Sequence, residues 1–169
     1  LQTKVSNTLT AYSNSVDMNK FGGRFKYSKV QQVIDSTDTA ITSNITRVRI
    51  RRDLKAAINQ FAQYELCFGN QFHVTVAGKN IKSTGFTISN NIRTVYLTDT
   101  PNSDMKTGVI SIVEILDNGT ENTVIGSAGT VDYIKGEILL STVNITSTLD
   151  NSGVVEVQAI PESNDVVGL

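Results

Sequence analysis

The chain has 169 residues, 39% hydrophobic and 18% charged, with a net charge of −1. That length can bury one solid core or two small ones without staples. The near-neutral balance argues against a dedicated nucleic-acid binder, which would carry a basic excess. A single cysteine, Cys67, excludes an internal disulfide and points to a reducing compartment.

Val5, Leu9, Tyr12 and Val16 recur at helical spacing and predict one amphipathic helix over 4–18, stopped by Gly22-Gly23. Ser28 with Gln31 three residues on fits a capping box, and Val30, Val33 and Ile34 give the second helix its apolar face. The polar run Asp35-Ser36-Thr37-Asp38 ends it. Ile45 to Leu54 alternates strictly, with Arg47, Arg49 and Arg51 on one face, and predicts a half-exposed strand. Residues 55–62 read as a crossover. Tyr64, Leu66 and Phe68 alternate as a strand, turned by Gly69-Asn70 into a partner carrying Phe72, Val74 and Val76.

No helical pattern follows Gly78. Lys79–Ser89 and Ile92–Leu97 read as short strands, and Asp99–Thr107 as a polar loop. Three apolar segments then dominate the chain: Val109–Leu116, Thr130–Leu140 with a turn at Lys135-Gly136, and Gly153–Pro161. Their Val and Ile content favours strands. Val155, Val157 and Ala159 alternate against Glu156 and Gln158, giving one dry face and one wet face. Asp117-Asn118-Gly119 is a hairpin signal, because Asn and Gly accept the positive φ of a tight turn.

The expected fold class is α+β, mainly β. A helical lead-in (1–27) precedes a small α/β lobe of helix and antiparallel strands (28–76). An all-β, sandwich-like domain (77–161) and a truncated tail (162–169) follow. The opening at Leu1 and the close on Val166-Val167-Gly168-Leu169 read as a piece of a longer chain. No apolar run approaches the ~20 residues of a membrane helix, so no membrane partner is expected.

Candidate chemistry is sparse. A three-residue loop at Gly69-Asn70-Gln71 would set Cys67 beside His73, the pairing that activates a cysteine nucleophile. No third orienting group and no oxyanion loop accompanies them, so the structural reading is preferred. Two ligands are also too few for structural zinc. Asp35 with Asp38, and Asp117 with Glu121, lack the spacing of a calcium loop and sit where turns are expected. Sequons at Asn44, Asn118 and Asn144 are unsurprising in a chain rich in Asn and Thr. No catalytic, cofactor-binding or metal residues are expected, and no small-molecule substrate.

Arg47, Arg49, Arg51 and Arg52 form the one dense basic cluster. The first three are the expected interface, either for an acidic protein face or as a solvated strand guarding an edge. Nucleic acid is the poorest candidate, because no aromatic residues interleave to stack bases.

Phe21-Gly22-Gly23-Arg24-Phe25-Lys26-Tyr27-Ser28-Lys29-Val30, followed by Ile34-Asp35, Asp38, Ala40-Ile41 and Asn44, resembles the helix-then-strand signature of phage baseplate proteins. Thr130–Ile138 and Val157–Pro161 resemble the β portion of the same group. The chain is similar, from about Phe21 to Pro161, to the baseplate wedge family of T-even contractile-tailed bacteriophages, gene product six, related to baseplate-J-like subunits. The resemblance implies a structural virion protein with no enzymatic residues. It implies copies that dimerise and join the inner ring of the tail baseplate, contacts to other wedge proteins, assembly in the host cytoplasm, and rearrangement on tail contraction. The rival reading is a carbohydrate- or surface-binding β-sandwich of an adhesin, which would show a shallow aromatic platform.

Overall fold

A computed structural model describes residues 1–166, so the last three residues of the expected 162–169 tail lie outside the described residues. The chain divides into two compact units, Leu1–Val48 with the segment from Ser163, and Arg49–Glu162.

The first unit is helical: α1 (Gln2–Ser13), α2 (Val16–Asn19) and α3 (Tyr27–Asp35). The helix expected over 4–18 starts earlier and is interrupted, with Asn14 as the C-cap of α1 and Ser15 extended. Its polar composition explains the break. Thr8, Thr10 and Ser13 donate their hydroxyls to carbonyls three or four residues back, competition that weakens a helix. The Asn19 amide then donates to the Ser13 and Ser15 carbonyls, closing the corner.

α3 forms where expected, but the capping box does not. Lys26 is the N-cap and makes no side-chain cap. Instead the Tyr27 amide donates to Asp165 Oδ1 at 2.8 Å, a carboxylate 138 residues away. A negative group at a helix N-terminus meets both an orphan donor and the positive end of the dipole. At the other end, the Ser36 and Thr37 hydroxyls donate to the Val33 carbonyl, so the polar turn is as read. Residues 41–49 form no regular element, so the strand expected from Ile45 begins only at Ile50.

The second unit holds nine strands: β1 (Ile50–Lys55), β2 (Phe61–Cys67), β3 (Lys82–Ser83), β4 (Phe86–Ile88), β5 (Asn91–Pro101), β6 (Thr107–Ile115), β7 (Glu121–Asp132), β8 (Glu137–Thr148) and β9 (Val154–Ala159). The fold is therefore α+β and mainly β, as expected. One sheet has the order β1-β9-β3 and the other β2-β8-β4-β5-β6-β7. β8 also pairs with β7 through Gly129–Asp132 against Glu137–Leu140, so the pairings β8-β4-β5-β6-β7 return to β8. Strands so arranged leave few open edges.

The β9 alternation holds: Val155, Val157 and Ala159 are buried while Glu156 and Gln158 are not. They join Leu54, Leu97, Ile110, Ile112, Ile138 and Ile145 in one core cluster. Packing of this kind, not local propensity, fixes the sheet register.

Two expectations fail on long-range pairing. The strands assigned to a 28–76 lobe lie in the second unit, since β1 pairs with β9 and β2 with β8. The hairpin from Tyr64 to Val76 does not form; beyond Gly69-Asn70 only a bridge joins Phe72 to Pro161. Phe72 is fully buried and meets Phe68 edge to face, centroids 5.0 Å apart, so an aromatic contact replaces a ladder. Asp99 also leaves its predicted loop, because β5 runs to Pro101 and the residue is 1% exposed. Its Oδ1 accepts from the Ile81 amide and its Oδ2 from the Tyr133 hydroxyl, each at 2.7 Å.

Candidate functional site

The predicted arginines fall in both units. Arg47 lies outside any strand in the first unit, while Arg49 and Arg51 belong to the second. Arg51 is held within the chain, with Nε 3.0 Å from Asp53 and Nη1 2.9 Å from Glu156 on the neighbouring strand. Arg52 turns to the other side and donates Nε to the Cys67 carbonyl at 2.9 Å. Arg49 lines a depression together with Lys79, Asn80, Lys82 and Gln158.

Cys67 and His73 are not brought together, because the hairpin that would pair them is absent. The exposed Cys67 thiol faces Glu65 at 3.7 Å. Desolvation first, then the Glu65 and Glu137 carboxylates, push its thiol up from the ordinary range, the reverse of nucleophile activation. His73 Nδ1 instead meets Glu162 Oε2 at 2.9 Å, both side chains about half exposed.

The carboxylates of the two predicted pairs have partners of their own at Asp38 and Glu121. Asp38 binds Lys4 Nζ at 2.7 Å and the Ala40 amide. The Lys4 hydrogen bond is the main cause that holds its carboxyl below the ordinary range. Asp117 stays in the β6–β7 turn, which is built as expected: Gly119 has φ +80° and the Thr120 amide donates to Asn118 Oδ1. Glu121 leaves that turn and places Oε2 2.7 Å from Lys79 Nζ. No group of three metal-ligating side chains occurs among the described residues.

What the sequence reading missed is the surface around Lys79 and Lys82. Both line a second, mainly apolar cavity of about 240 Å³ with Tyr96, Leu97, Val113, Ile115 and Glu121. Two lysines three apart carried no recognisable spacing, and β5, β6 and β7 reach them only through tertiary pairing. Lys79 also has a positive φ, 64°, with its amide donating to the Asp99 carbonyl.

The first unit has another character. Its single buried hydrophobic side chain among the described residues is Val30. Val16, Phe21 and Ile45 are largely or fully exposed. These side chains are open to a partner, as are Val76 and Ile92 of the second unit.

Residues 1–53 match the family described as baseplate structural protein gp6, C-terminal domain III. The match takes in the Phe21–Asn44 signature and leaves the β portion, Thr130–Pro161, outside it. No curated protein and no solved structure matches the chain.

Proposed function

We propose, on the match of residues 1–53, that the chain is a structural subunit of a phage tail baseplate. It is a wedge component of the inner ring, joins further copies of itself and other baseplate proteins, and shifts position when the tail contracts. It resides in the virion after assembly in the host cytoplasm, and no reaction is assigned to it. The family match carries this reading. The exposed Val16, Phe21 and Ile45 support it, because the matched segment presents apolar surface instead of burying it.

Labelling intact contractile-tailed particles with an antibody raised against this chain tests the proposal. Label at the distal end of the tail, beneath the sheath, is the expected result. Label on the capsid, or on particles only after disruption of the head, overturns it.

A further inference from the structure

Lys79 and Lys82 are shared by two adjoining depressions of the second unit, one mainly apolar and one of mixed lining that adds Arg49. We propose that together they receive an extended acidic peptide segment of a partner protein. A bulky apolar side chain enters the cavity of Tyr96, Leu97, Val113 and Ile115, and the carboxylates beside it meet Lys82 and Arg49.

Three observations carry this. The cavity has an apolar floor and a cationic rim, the arrangement that orients an amphipathic segment. Its charge is unbalanced: of the three cations only Lys79 has a carboxylate partner among the described residues. Lys82 and Arg49 are exposed and so accessible to a partner. Glu121 also shows how the site holds a carboxylate, reaching Lys79 Nζ at 2.7 Å from the cavity wall. That pair is exposed and correspondingly weak, so an incoming carboxylate competes with it. Nucleic acid fits less well, because Tyr96 is the one aromatic residue here and a second base has nothing to stack on. Of the site's residues only Arg49 falls within the family match, which ends at residue 53; the cavity and both lysines lie beyond it.

The test is fluorescence anisotropy of the full chain with a labelled hexapeptide, one leucine followed by glutamates. Binding is expected below about 1 mM and should weaken as salt is raised. The double variant R49E/K82E should bind at least about tenfold more weakly with an unchanged circular dichroism spectrum, a loss of about 1.4 kcal/mol or more. Glu121→Gln should bind several-fold more tightly, since it frees Lys79. Replacing the peptide leucine by glycine should weaken binding to wild type. No binding by wild type, equal binding by R49E/K82E, tighter binding of oligothymidylate than of the peptide, or indifference to the leucine each overturns the proposal.

Discussion

At the scale of single residues, the Asp99–Tyr133 pair is a buried side-chain to side-chain hydrogen bond. Both residues are buried, and the Asp99 carboxylate has one oxygen on the Ile81 amide and the other on the phenol. Tyr133→Phe leaves a buried carboxylate oxygen without its donor, which costs about 1–3 kcal/mol. Urea unfolding followed by circular dichroism at neutral pH should show that loss. Burial first, then the hydrogen bond to Asp99, push the Tyr133 phenol well up from its ordinary range. A group with a raised folded pKa stabilises fully below its unfolded value, near 10, and loses that contribution as pH rises beyond it. Wild type should therefore lose stability above about pH 10 more steeply than Tyr133→Phe. Parallel curves from pH 9 to pH 11 would contradict this.

At the scale of elements, two places show sequence-distant groups completing local structure. α3 relies on Asp165 for its N-terminal amide. Asp165→Ala should cost about 0.5–2 kcal/mol of helix stability, read as faster amide exchange at residues 27–30 with strands unchanged. Equal exchange in α3 would show that water serves as well. In the second unit, Gly129 sits where β7 meets β8, and a Cβ there would collide with the Leu139 carbonyl and Leu140 backbone. Backbone cannot yield as a flexible side chain can. Gly129→Ala should destabilise by about 2 kcal/mol or more. By contrast Gly126→Ala meets only a Thr123 methyl at 3.8 Å and should be near neutral. Comparable midpoints for the two variants would sink the argument.

At the scale of the whole molecule, the contrast is between a unit with an extensive core and a unit with one buried hydrophobic residue among those described. Hydrogen exchange should be far faster at residues 1–48 than in the strands of residues 49–162, because local opening there exposes little buried apolar surface. Uniform protection would contradict the burial pattern. If the first unit's apolar surface is an assembly contact, the full chain should self-associate at micromolar concentration, and Val16→Glu with Phe21→Glu should lower its sedimenting mass while the strand signal persists. A wild type already monomeric at that concentration argues against self-association. Cys67→Ser with His73→Ala should leave both fold and association unchanged, since the two side chains point to different partners.

Local pattern alone was enough for several features, each for a short-range reason. The α3 face of Val30, Val33 and Ile34, the Asn118-Gly119 turn and the β9 alternation depend on helical period, on positive φ and on the two-residue pleat. The class, α+β and mainly β, followed from them. Tertiary structure decided what needed a distant partner. The start of β7 from Glu121 and the end of β8 to Thr148 are rich in Thr, Ser and Asn, and become strands because β6 and β4, respectively, pair with their backbone. Pairing of β1 with β9 set Arg51 beside Glu156, and Cys67 and His73 took the separate partners Glu65 and Glu162. Pairing of β9 with both β1 and β3 assembled Lys79, Lys82 and Arg49 around a surface no linear spacing announced. Side-chain periodicity reports which face of an element is dry; it carries no information about which other element will cover it.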